Sequence, residues 1–312
     1  MKIQSVKQWI LTMNFRIFLP LIAFASLAEV SLTYASAPVL AREDDDINKR
    51  PPLNQTALNL TADASILDSY QKIHAHWQYA STPESATTDS VYWEVKLVDL
   101  DDGQSAPCLT WQCERAPLMK TALEDILQAS SHLDCLSAYR IAKGKLILDT
   151  LGSFKTQKRI DVIRTSDEDT NSANFLSTFS WSFQTECTED FQGVYFMSFV
   201  NIPWYDKYKP TGNAGNHNVV RLSDGTFMGF DPVFFSRPRT YDDLERHMYE
   251  EFISPDHLAN EEIEEYQQFC KVLEENGGLE VFKRLRRKYQ TQFRPYRFDL
   301  EKITDFIKSG KN

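Results

Sequence analysis

Cys135, His217 and Asp231 are the residues of this chain whose types and order suit covalent chemistry. A free thiol has a pKa of about 8.5 and is mostly protonated near neutrality, so a cysteine nucleophile needs a helix N-terminus or a nearby imidazole to activate it. Cys135 follows Asp134, a good capping residue, in LDCLSAYRIAKGKLILDTLG. It is therefore expected in the first turn of a helix that runs to about Thr150 and is stopped by Gly152. The helix dipole and the unpaired N–H groups there favour a thiolate and can receive an oxyanion, while the charge of Asp134 opposes both. His217 is placed to act as base and Asp231 to orient it, the roles of the second and third members of a triad. The competing reading makes Cys135 a buried structural thiol or half of a disulfide.

Whether the partners can meet depends on one hairpin. HNVVRL and TFMGFD read as two strands joined through SDG. A two-residue turn at Asp224-Gly225 pairs His217 with Pro232 and sends Asp231 to the opposite face. A three-residue loop, Ser223 to Gly225 with Gly225 left-handed, pairs Leu222 with Thr226 and His217 with Asp231 on one face. A working dyad therefore predicts the three-residue loop.

The surrounding elements follow from periodicity. Ile66, Tyr70, Ile73 and Trp77 recur at helical spacing, and VYWEVKLVDL alternates as a half-buried strand. APLMKTALEDILQA reads as a helix with Pro117 near its first turn, and GVYFMSFV as a central strand. NIPWYDKYKPTGNAGN is a long loop that delivers the chain to His217, and Trp204, Tyr205 and Tyr208 in it either wall a substrate channel or anchor the loop. From Tyr241 onward the pattern is helical, with Gly277 and Gly278 separating two helices. His74 and His76 fall on a helix, where rings two residues apart point about 200° from each other and cannot share a metal.

At 312 residues, with 42% hydrophobic and 25% charged residues, the chain has ordinary globular composition and can bury a sizeable core. Lys2, Lys7 and Arg16 precede the apolar run Ile17 to Ala28 and the small residues of YASAPVLA, the order of a secretory signal cleaved after Ala37 or Ala41. Twelve apolar residues are too few for a stable membrane span. Residues 1–41 carry a net +2, so their removal takes the formal charge from −10 to −12. Such an acidic, exported (periplasmic or secreted) protein is a poor partner for nucleic acid. No phosphate-cradling glycine loop, calcium loop or zinc-type cysteine spacing is present, so neither cofactor nor metal is expected. Five cysteines leave one unpaired in an oxidising compartment. With Cys135 kept free, the other four cysteines permit three connectivities; the short spacing of Cys108 and Cys113 suits a staple and leaves Cys187–Cys270 as the remaining pair. The domain reading is a signal at 1–41, a linker at 42–62, a catalytic α+β domain at 63–240 and a helical extension at 241–312.

The order LDCLSA, GVYFMSFVN and GNHNVVRLSDGTFMGFD resembles the small bacterial protein-glutamine gamma-glutamyltransferases of the spore-coat type, over roughly Leu109 to Phe234. That family has a glutamate where this chain has His217, and its hairpin histidine falls on Phe230. HNVVRLSDGTFMGFDP also resembles the hairpin of the wider transglutaminase-like superfamily, whose strand-opening histidine and Asp-Pro complete a Cys-His-Asp triad. The resemblance implies a papain-like/transglutaminase-like core, with a nucleophile-bearing helix packed on an antiparallel sheet and helices added at both ends. It further implies Cys135 as nucleophile, His217 as base, Asp231 as orienter, and protein or peptide substrates bearing glutamine and lysine. A lysine amine resolving the thioester gives a cross-link, and water gives deamidation. The alternatives are an exported papain-like cysteine amidase or peptidase and a disulfide-stabilised binding module without activity.

Overall fold

The computed structural model describes residues 55–80, 82–99, 105–112, 119–152 and 183–309. The signal-like segment, Cys113, Pro117 and the polar stretch 165–174 lie outside them. Helix α1 (Gln55–His76) starts inside the stretch read as linker. The reason is apolar spacing: Leu58 and Ala62 continue the stripe of Ile66, Tyr70 and Ile73, and all five are buried. β1 (Trp77–Tyr79), β2 (Thr87–Thr88), β3 (Trp93–Asp99) and β4 (Ser105–Trp111) follow, then α2 (Met119–Gln128) and β5 (Ser131–Leu133). β5 lies between β1, to which it is parallel, and β2, to which it is antiparallel. β3 and β4 form a separate hairpin whose face is buried at Trp93, while Leu97 is exposed. The indoles of Trp77 and Trp93 donate to the carbonyls of Ile126 and Ala122, fixing α2 against these strands.

Helix α3 (Cys135–Gly152) begins at the expected thiol. Asp134 caps it, its Oδ1 accepting the Ser137 N–H at 2.6 Å. From Ser137 onward most of α3 is buried all round, packed by α1 and α2 on one side and by a sheet on the other. Its Lys145 is neutralised by Asp149, which also takes the Ser65 hydroxyl. Lys143 lies over the rings of Tyr139 and Phe196, and burial pushes its ammonium down to about 7.

That sheet is five-stranded and wholly antiparallel, in the order β6 (Gln184–Glu186), β10 (Tyr296–Phe298), β7 (Tyr195–Val200), β8 (Asn216–Arg221), β9 (Phe227–Met228). Alternation splits it. Phe196, Val220, Met228 and Phe298 join the core beneath α1 to α3, whereas Tyr195, Met197, Phe199, Val219 and Phe227 face a second core. The short helix α4 (Tyr205–Tyr208) and helices α5 (Tyr241–Ile253), α6 (Ile263–Glu275) and α7 (Leu279–Gln290) cover the second face. The last segment, read as purely helical, inserts β10 between β6 and β7 before closing with α8 (Leu300–Ser309), so the far end of the chain is part of the sheet. Three residues behind Pro295 give too short a pattern to read as a strand.

The hairpin adopts the three-residue loop. Arg221 pairs with Phe227 and Val220 with Met228, Leu222 N–H donates to Thr226 at 2.7 Å, and Gly225 has φ +90°. Asp63 of α1 holds the loop by accepting the Ser223 N–H at 2.9 Å. At that φ an alanine is strained. Gly225→Ala is therefore expected to lower stability by about 1 kcal/mol in equilibrium denaturation.

Among the described residues Cys187 and Cys270 are free thiols, which corrects the expected second disulfide. Cys187 directly follows β6 and Cys270 lies in the middle of α6, each packed at the margin of the second core. No described helix is long and apolar enough to cross a membrane.

Candidate active site

The β8–β9 ladder runs only as far as Val220 and Met228, and beyond it the strands part. In a continued ladder the Asn218 N–H would donate to the Phe230 carbonyl. Instead that N–H and the Asn218 side chain turn to Cys135: Nδ2 donates to Sγ at 3.5 Å. The opposing branch is taken by α1, where His74 Nε2 lies 2.9 Å from the Gly229 carbonyl oxygen and against that of Phe230. β8 thus turns Asn218 donors to the thiol, while the His74 imidazole of α1 binds the carbonyl edge of β9. A carbonyl only accepts, so neutral His74 carries its proton on Nε2 and leaves Nδ1 as the basic nitrogen.

The electrostatics favour the neutral form of each group. Burial and the Asp134 carboxylate push the Cys135 thiol above its ordinary value, against the Asn218 donors and the residue's own N–H. Burial pushes His74 below its ordinary value, opposed by the Gly229 and Phe230 carbonyls and by Asp231. Hence the expected standing thiolate is replaced by a thiol that must give up its proton when it attacks. Tyr70, one turn before His74, is fully buried, its hydroxyl has no hydrogen-bond partner among the described residues, and its phenol is raised by burial and by Cys135. Tyr79 and Leu136 are exposed beside the cysteine, and Phe230, where the resemblance places a histidine, packs against Trp77 and Tyr79.

His217 does not face Cys135. It precedes Asn218 on β8 and points to the other side of the sheet, stacked on His247 of α5 at 5.3 Å and edge-on to Phe235 at 6.1 Å. The hairpin register is the one that aligns His217 with Asp231, and the charge of Asp231 reaches His217, but on the face turned away from α3. Asp231 Oδ1 accepts the N–H groups of Val233 and Phe234, and its charge also reaches His74 and His247. Trp204, Tyr205 and Tyr208 are anchors rather than a channel wall, packed into or against the second core with Phe269 and Phe252. Among the described residues no cluster of three or more histidine, cysteine or acidic side chains is arranged to hold a metal.

No protein-family model matches this chain, and no curated protein matches it. Among solved structures, the transglutaminase from Geobacillus stearothermophilus (without C-terminal extension) is similar at 15% identity, covering 67% of this chain and 90% of that one, with a TM-score of 0.40.

His74 and Asn218 are the two site residues that the sequence does not single out. His74 draws notice there only as a metal ligand, although Tyr70 and His74 share a helix face with the buried stripe. Asn218 stands one residue from the more conspicuous histidine.

The enclosed His217 has a measurable consequence. Burial first, and then His247, push its pKa down to about 4, with Asp231 opposing, and Nε2 has no hydrogen-bond partner among the described residues. Between its unfolded value of about 6.5 and the folded value the unfolded chain binds the extra proton, so stability present above that window is lost as pH falls through it. The slope contributed is at most ~1.4 kcal/mol per pH unit. Urea denaturation from pH 7 to 4 should show this decline. His217→Phe, which removes the titrating ring beside Phe235, should flatten it, leaving the smaller contributions of His74 and His247.

Proposed function

We propose that the protein is a cysteine acyltransferase of transglutaminase type, exported as its N-terminal segment suggests, that acts on the side-chain carboxamide of protein-bound glutamine. The observation that carries this reading is the placement of Cys135. It opens a capped helix and sets its sulfur against the Asn218 donors of β8, and α1, which packs against that helix, carries His74 to the neighbouring strand end at Gly229. The resemblance of LDCLSA and the hairpin supplies the substrate class.

In this mechanism the sulfur lone pair attacks the carboxamide carbon while the thiol proton passes to His74. The carbonyl π pair moves to oxygen and returns, the C–N bond breaks, and the proton leaves with nitrogen as ammonia. A thioester remains. A primary amine resolves it to an isopeptide, or water to glutamate. The base assigned here is His74 rather than His217, because His74 stands on α1, which packs against the helix that Cys135 opens, whereas His217 lies on the far face of the sheet. Asp231 keeps an electrostatic role, favouring the protonated imidazole that forms during attack.

The test is incubation with a glutamine-containing protein and a fluorescent primary amine. Stable incorporation that disappears in Cys135→Ala is the expected result. Cleavage of the polypeptide without incorporation would point to a peptidase and end this reading.

A further inference from the structure

Asn218 does more than line the fork. We propose that its backbone N–H and its side-chain amide together hold the negative charge that develops at Cys135, first on sulfur and then on the carbonyl oxygen of the substrate. This rests on the acyl-transfer reading above and names the group that stabilises its intermediate.

Three observations carry the assignment. The first is contact, since Nδ2 donates to Sγ at 3.5 Å from the strand that faces the helix N-terminus. The second is orientation. An asparagine amide can turn either end toward a neighbour, and here the Ser198 hydroxyl on the paired strand β7 donates to Oδ1 at 3.1 Å. That bond occupies the acceptor end and leaves the N–H end for the sulfur. The third is the unused ladder position. Because β9 leaves β8 after Met228, the Asn218 N–H has no partner on β9 and is free to join Nδ2 at the same point. Two donors from one residue, both fixed before any substrate arrives, are what an oxyanion site requires. The other acidic and basic groups nearby do not substitute for them. Asp134 is negative and repels the charge, and Asp134 Oδ1 already claims the Ser137 N–H of the first helical turn.

As attack proceeds, the S–C bond forms and the carbonyl oxygen takes the π pair. The charge leaves sulfur and appears on oxygen bonded to the same carbon, so donors already aimed at sulfur are close to where it arrives. Ser198 is a positioning residue in this scheme, acting only through the amide it turns.

Two readouts separate this proposal from the function it builds on. The first needs no enzymatic activity: the rate of alkylation of Cys135 by iodoacetamide, followed from pH 6 to 10 in the full-length protein. Asn218→Ala should move the rise in rate to higher pH, and Asn218→Asp, which keeps shape but replaces the donor by a charge, should move it further. The second is amine incorporation. Loss of an oxyanion donor typically lowers kcat roughly a hundred- to a thousand-fold, and Asn218→Ala should do so with little change in KM. Ser198→Ala should lower kcat less and shift alkylation in the same direction, with Ser198→Thr restoring both. If Asn218→Ala fails to fold by near-ultraviolet circular dichroism, Asn218→Ser and the two Ser198 variants decide instead. Unchanged alkylation profiles and unchanged kcat in the folded variants overturn the proposal. Shifted alkylation in a protein that never incorporates amine overturns the acyl-transfer reading and leaves the Asn218 contact standing.

Discussion

Glu245→Ala is expected to cost about 3–5 kcal/mol, enough to unfold most of the protein under mild conditions. Glu245 and Arg286 are both fully buried between α5, α7 and the sheet. The Arg286 guanidinium donates to Glu245 Oε1 at 2.8 Å, to the Tyr241 hydroxyl at 2.6 Å and to Gln290 Oε1 at 3.0 Å, and lies 3.9 Å over the Phe199 ring. Glu245 also receives Arg287. Removing the carboxylate leaves a cation in a core with no counter-charge, and the penalty is the desolvation of that charge rather than the loss of one ion pair. The effect should spread to the sheet. Gln290, held by Arg286, supplies an acceptor to the Val200 N–H and a donor to the Ser198 carbonyl, where β7 runs past the end of β10. The check is urea denaturation of Glu245→Ala beside the double variant Glu245→Leu/Arg286→Met. Because the double variant removes both charges, it should recover most of the loss. Equal destabilisation of the two would refute the charge argument.

His74→Ala should lower kcat/KM for amine incorporation by roughly a hundred- to ten-thousand-fold, the usual range for loss of a general base. His217→Ala, in contrast, should leave the transfer step largely intact while altering acid stability. The reasoning is positional. His74 stands on α1, which packs against the nucleophile helix, with its Nε2 proton committed to Gly229, whereas His217 is enclosed beside His247 and Phe235 on the other face. The pH profile adds a discriminator. In wild type the lower limb should reflect an imidazole below its ordinary value, since burial depresses His74, and this limb should vanish in His74→Ala. A folded His217→Ala protein without transferase activity, paired with an active His74→Ala, would return the triad to the hairpin.

What the sequence reveals, it reveals through short-range chemistry. Asp134 before Cys135 is enough to place a thiol at a helix start, because a cap acts on its own first turn. Ser223-Asp224-Gly225 is enough to set the hairpin, because only Gly225 takes the left-handed conformation without strain. Strand alternation also says that His217 and Asn218 face opposite ways. Which of the two meets α3 depends on where a helix about 80 residues earlier comes to rest, and no local pattern encodes that. The same limit explains α1. Its apolar stripe is legible, but its service to the fork is a contact between residues 155 positions apart. β10 escapes notice for a related reason, since its place between β6 and β7 is decided by pairing at a distance.

The hold of α1 on the hairpin has a consequence for solubility. β9 is an edge strand, and edges invite other chains to pair unless they are covered. Here the cover is assembled from pieces: Arg239 bridges to Phe227, His74 takes the Gly229 carbonyl, and Asp63 pins the Ser223 loop. Two of the three belong to α1. Peeling that helix away would uncover an apolar strand edge in the same event that withdraws the proposed base. Loss of activity and onset of self-association are therefore expected to begin together, at the detachment of one helix and ahead of global unfolding.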